Sequence, residues 1–81
     1  DLAGRLAKTL ATLADRDGTV EGDTVVLELP LTQTELAEMV GGSRQSVNQS
    51  LRMFQTRGFL ELRGREVVIL DLDALRRRGS R

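Results

Sequence analysis

No cysteine, histidine, tyrosine or tryptophan occurs among the 81 residues. Without cysteine there are no disulfides and no thiolate metal sites. Without histidine the usual metal ligand and the usual general base are both missing. Serines 43, 46, 50 and 80 thus have no base of the usual kind to activate them, and an enzyme is not expected. No apolar run approaches the ~20 residues that a membrane span needs, and no signal-peptide pattern is present. Aromatic residues are nearly absent, with two phenylalanines, so leucine, valine and alanine must supply the core. That core belongs to one small domain, near the lower limit of independent stability.

Net charge is also lacking: 12 basic residues balance 12 acids. Their distribution is uneven. Residues 1 to 42 hold Arg5, Lys8 and Arg16 against eight acids, or about −5. Residues 43 to 81 hold nine arginines against Glu61, Glu66, Asp71 and Asp73, or about +5. A local basic patch suffices to attract phosphate, so a neutral chain can still bind nucleic acid. The Arg76-Arg77-Arg78 run reads more simply as a solvated C-terminal tail.

The most informative stretch is 32 to 57. Thr32 and Glu35 have the T-x-x-E spacing of a capping box, in which hydroxyl and carboxylate each satisfy a backbone N–H of the other. Pro30 breaks regular structure just before it. Leu36, Ala37 and Val40 make one apolar helical face, and Gly41-Gly42 ends that helix. Ser43 is placed to cap a second helix that runs to about Arg57, with Gly58 as its stop. Val47, Leu51 and Phe54 form its buried stripe, while Gln45, Asn48, Gln49 and Arg52 point the other way. A solvated face is the ordinary reading of such a helix. Two features argue against it. The exposed groups are amides and arginines, which pair bidentately with adenine and guanine edges. No carboxylate stands between Ser43 and Phe59, whereas a solvated helix normally mixes both signs. The pattern predicts a helix-turn-helix with its second helix in the DNA major groove.

The remainder reads as scaffold. Leu2, Leu6, Leu10 and Leu13, with Ala3, Ala7 and Ala14, give a helical stripe from residue 2 to about 16. Residues 17 to 23 read as a polar loop, and Thr24 to Leu29 as a short strand. Residues 59–62 and 66–70 read as two strands joined by a turn at Arg63-Gly64. Asp71 to Arg78 is compatible with a short terminal helix, Asp71 and Asp73 serving as its N-cap rather than as an acid pair. The expected fold is α+β, a small winged helix-turn-helix spanning 1–81: helix, strand, helix, helix, strand, strand, with the motif at 32–57 and the wing at 59–70. The chain does not open on methionine and begins inside a helical pattern, so it reads as a piece of a longer protein.

The order of motifs resembles the C-terminal DNA-binding domain of the Crp/Fnr family of bacterial transcription regulators. The likeness covers nearly the whole chain. It starts with Asp1-Leu2-Ala3-Gly4-Arg5-Leu6-Ala7, similar to the family's D-x-x-x-R-[IVL]-A opening. It continues through Leu31 to Ala37 and Val40 to Asn48, where the G-x-S-R-x-[ST]-V core is most specific, and closes with Arg57-Gly58-Phe59-Leu60 and the wing. The resemblance implies base contacts from Arg44, Gln45 and Gln49, and the polar front of the second helix adds Asn48 as a candidate. It implies phosphate contacts from Thr32, Gln33, Thr34, Ser43, Ser46, Arg52, Arg63, Gly64 and Arg65. The family's best-known recognition pattern is Arg-Glu followed by Arg four residues after the Glu; here those positions are Arg44, Gln45 and Gln49. Gln45 cannot offer a carboxylate to cytosine, nor Gln49 a guanidinium fork to guanine, so a different operator is expected. Ala3 stands where relatives use a hydroxyl against a phosphate, so that contact is expected to be missing.

The same resemblance implies a bacterial, cytoplasmic and nucleoid-associated protein whose partner is double-stranded DNA with an inverted-repeat operator. It also implies RNA polymerase as a candidate partner. Family members carry an N-terminal sensor of the cyclic-nucleotide-binding type and a long dimerisation helix. The parent is therefore expected to be a homodimer that binds a cyclic nucleotide or another small effector outside this chain, with no cofactor, metal or membrane partner in these 81 residues. A winged helix that binds protein and not DNA is the alternative.

Overall fold

A computed structural model describes residues 1–29 and 32–80. Pro30, Leu31 and Arg81 lie outside the described residues, so the break expected at Pro30 stays a sequence reading.

The first helix, α1 (Leu2–Asp17), is capped by Asp1, whose carboxylate accepts from the Gly4 N–H at 2.8 Å. Its leucine and alanine stripe is the floor of the core, with Leu6, Ala7 and Leu10 fully buried. The chain leaves α1 through Gly18, where a Cβ would lie 2.5 Å from both the Ala14 carbonyl oxygen and Val25. Only glycine admits that approach.

Where a polar loop was expected, the structure has a β-hairpin. Strand β1 (Thr19–Glu21) pairs with β2 (Thr24–Glu28) across a two-residue Gly22-Asp23 turn. Gly22 takes a φ of 62°, the positive value that a type II′ hairpin needs at its first central residue. All three β1 residues are exposed, so the strand has no apolar alternation to mark it.

Next come α2 (Gln33–Val40) and α3 (Arg44–Thr56), then β3 (Leu60–Arg63), β4 (Glu66–Ile69) and α4 (Leu72–Gly79). The strands form one antiparallel sheet in the order β1-β2-β4-β3. Phe59 falls just outside β3. Its carbonyl accepts from Leu70 and Asp71, and its ring stacks on Phe54 with centroids 5.8 Å apart. The fold class is the expected α+β winged helix-turn-helix, with one more strand than the sequence suggested.

One core joins these layers: Leu6 and Leu10 from α1, Leu27 from β2, Leu36 from α2, Val47, Leu51 and Phe54 from α3, Leu60, Val67 and Ile69 from the wing, and Leu75 from α4. Burying a side chain of this size contributes about 1.5–3 kcal/mol, so the stripes fix how α3 is presented.

The arginine run is not a solvated tail. It lies in α4, which Asp71 caps by accepting from the Ala74 N–H at 3.0 Å. Helix α4 packs against α1 so closely that a Cβ on Gly79 would lie 2.8 Å from the Lys8 backbone nitrogen. Arg76 reaches Asp15 at 2.6 Å and Arg78 reaches Asp1 at 2.7 Å. Two arginines of the basic half therefore answer acids of the acidic half, and the field they lend to a distant phosphate is reduced.

Candidate nucleic-acid interface

The motif is built by its caps. The Thr32 hydroxyl accepts from the Glu35 N–H at 3.2 Å, and Glu35 Oε1 accepts from the Thr32 N–H at 3.4 Å, so the expected capping box is present. Gly41 ends α2 in the left-handed conformation, with φ 78°. Gly42 then passes over the start of α1, where a Cβ would meet Leu2 Cδ1 at 2.6 Å. Ser43 Oγ caps α3 by accepting from the Ser46 N–H at 3.0 Å, and donates to Ser46 Oγ at 2.8 Å.

Two positioning residues escaped the sequence reading. Arg5 reaches from α1 to the turn, where its Nε donates to the Val40 carbonyl at 2.9 Å. It thereby occupies one of the carbonyls that a helix C-terminus leaves without a partner. Gln55, near the end of α3, accepts from the Leu62 N–H of edge strand β3 at 3.0 Å. That bond ties the wing to the second motif helix. The motif-like opening of the chain signals Arg5, but only the packing of α1 on the turn reveals its role.

Expected base-contacting residues converge. Arg44, Gln45, Asn48 and Gln49 line one open groove of about 590 Å³ together with Gln33 of α2. Arg44, Gln45 and Gln49 are exposed, while Asn48 and Gln33 are half-buried. Asn48 has both polar ends engaged inside the protein: Nδ2 donates to Gln33 Oε1 at 3.3 Å, and Oδ1 accepts from Arg52 Nε at 3.0 Å. Gln33, expected at the backbone, thus shares the groove with the base-reading candidates.

Of the expected phosphate contacts, Thr32, Thr34 and Ser43 lie exposed at the starts of the two motif helices, with Ser46 half-buried beside them. Helix starts leave backbone N–H groups without partners inside the helix and carry partial positive charge. Arg63, Gly64 and Arg65 do not line the α3 groove; they form the tip of the β3–β4 hairpin, with Gly64 at φ 59°. Arg63 is paired with Glu61 at 3.2 Å. Among the described residues, Arg44, Arg52 and Arg65 have no carboxylate partner. The described residues include no group of three or more aspartates and glutamates arranged to hold a metal. Among the described residues, no helix is long and apolar enough to cross a membrane.

The family described as the Crp-like helix-turn-helix domain matches residues 4–78. The chain belongs to that family. It is a DNA-binding domain of the kind that transcription regulators carry. A CRP-like cAMP-activated global transcriptional regulator of Mycobacterium tuberculosis is 46% identical over 79 residues, covering 98% of this chain and 35% of the relative. The CO-dependent transcription factor CooA of Carboxydothermus hydrogenoformans superposes with a TM-score of 0.90 at 34% identity, over 98% of this chain and 37% of CooA. Oxidised CprK in complex with o-chlorophenolacetic acid shares the fold, with a TM-score of 0.89 at 20% identity, over 99% of this chain and 34% of CprK. The chain thus spans about a third of the length of the relatives it matches.

Proposed function

We propose that this Crp-like domain binds double-stranded DNA in a sequence-specific way, with α3 in the major groove. One observation carries the reading. The exposed front of α3 presents Arg44, Gln45 and Gln49 side by side along one open groove, with no acid on the helix. A guanidinium forks to guanine O6 and N7, and an amide pairs with adenine N6 and N7. Arg44 takes a guanine, while Gln45 and Gln49 set an operator different from the family's best-known half-site. Thr32, Gln33, Thr34, Ser43, Ser46 and Arg52 hold the backbone on one side of α3, and Arg63, Gly64 and Arg65 of the wing hold it on the other.

The parent is read as a homodimeric bacterial regulator on an inverted repeat, acting in the cytoplasm and in contact with RNA polymerase. Small effectors named for relatives, cAMP and CO, support a sensor outside these residues. Binding-site selection with the domain fused to a heterologous dimeric coiled coil tests the base-reading claim. A single recovered half-site motif supports it. Recovery of random sequence, or binding indifferent to salt, favours a protein-binding winged helix.

A further inference from the structure

Asn48 stands on the reading face of α3, yet both ends of its amide are already engaged within the protein. We propose that Asn48 is a positioning residue through which Arg52 fixes the polarity of Gln33, so that Gln33 presents its amide N–H groups to a DNA phosphate oxygen. This deepens the DNA-binding reading and rests on it.

Arg52 sets the polarity of the chain of contacts. A guanidinium nitrogen only donates. Its Nε lies 3.0 Å from Asn48, which must meet it with the carbonyl end, Oδ1. The other end of the same amide, Nδ2, then faces Gln33 at 3.3 Å and can only donate. Gln33 must answer with Oε1. Its Nε2 is left to point elsewhere, on a side chain that lines the α3 groove. Turning Asn48 over would set N–H against N–H at Arg52. The orientation of both amides therefore follows from one donor-only cation.

The consequence is chemical selectivity. A free glutamine offers donor and acceptor side by side, the fork that adenine requires. Gln33 has its acceptor end committed within the protein, so it meets DNA chiefly as a donor. Phosphate oxygens only accept, and Gln33 is the first residue of α2, whose N-terminal N–H groups also favour an anion. Asn48, held at both ends, is not free to turn its amide toward an adenine.

The test is a panel of variants titrated with a duplex carrying the selected half-site and with a scrambled duplex. Gln33→Ala and Asn48→Ala should each weaken both duplexes by roughly five- to tenfold, the net size of one hydrogen bond. The double variant should be no worse than the weaker single one. Arg52→Lys, which keeps a donor-only cation, should preserve the effect of Gln33→Ala. Arg52→Gln should abolish it. In the DNA-free domain, the Gln33 side-chain amide resonances should move in Asn48→Ala and in Arg52→Gln but not in Arg52→Lys. Both positions are outside the core, and alanine favours helix, so thermal melting should show intact folding. The inference is overturned if Asn48→Ala relaxes preference at one base pair, or if the two losses add. An Arg44→Ala control separates the two levels. If it alters base preference while the Gln33 and Asn48 losses add, the inference alone fails. If wild type binds neither duplex in a salt-dependent way, the DNA-binding reading fails and the inference falls with it.

Discussion

At the scale of single residues, the interface divides into groups that are free and groups that are held. Arg44 is exposed, has no carboxylate partner among the described residues, and sits in the first turn of α3. Arg44→Ala should remove preference at one base pair per half-site, at ~1–3 kcal/mol of discrimination. Binding-site selection that returns the wild-type motif unchanged with this variant contradicts the assignment. Gly41 is held differently. Its φ of 78° favours glycine, although a Cβ there would meet nothing nearer than an Arg5 nitrogen at 4.0 Å. Gly41→Ala should therefore cost about 1 kcal/mol through backbone strain alone. Denaturant titration measures it, and an unchanged midpoint would show that the turn does not need the left-handed conformation.

Secondary-structure elements differed in how plainly the sequence announced them. The α2–turn–α3 unit was legible because its signals are local: Thr32 and Glu35 three residues apart, Gly41, and Ser43 at a cap position. The buried faces of α1 and α3 followed from apolar spacing, with Leu6, Leu10, Val47, Leu51 and Phe54 all fully buried. Strand β1 was missed because each of its residues is exposed, so period-two burial has nothing to act on. The usable signal was Gly22-Asp23 between Thr-Val-Glu and Thr-Val-Val, a two-residue hairpin turn. The ties of Arg76 to Asp15 and of Arg78 to Asp1 span more than sixty residues of sequence, which no local pattern encodes. The Gln33–Asn48 bond also joins two helices, and only their crossing brings the pair together.

The wing carries its own prediction at this scale. Arg65 has no carboxylate partner among the described residues, whereas Arg63 is shared with Glu61. Both partners of that pair are well exposed, so the attraction is worth little against a phosphate. Arg63→Ala and Arg65→Ala should each weaken binding to all sequences alike and lower the salt slope by about one unit. A variant that alters sequence preference with an unchanged slope would place the wing in the base-reading machinery.

For the molecule as a whole, charge and size set the limits. The domain measures 33 Å along its longest axis and presents one α3. Two such helices in a dimer would face half-sites about 34 Å apart. This chain offers no long apolar heptad of its own, so the domain alone should be a monomer that meets a single half-site and lacks the effective concentration of a linked pair. Its affinity should lie near ~10⁻⁴–10⁻⁶ M at physiological salt. Fusion to a heterologous dimeric coiled coil should restore tight binding to an inverted repeat, measurable by anisotropy. Nanomolar binding by the monomer, or no gain after fusion, would contradict this.

The proposed function requires a neutral domain to read DNA through a local basic and amide-rich surface. A titration of the coiled-coil fusion with selected and scrambled duplexes, over a series of salt concentrations, measures whether it does. Log affinity should fall linearly with log salt, with a slope of about −3 or steeper. The selected duplex should be preferred by at least ~10³-fold. Equal affinity for both duplexes, or a slope near zero, would show that this surface does not read DNA.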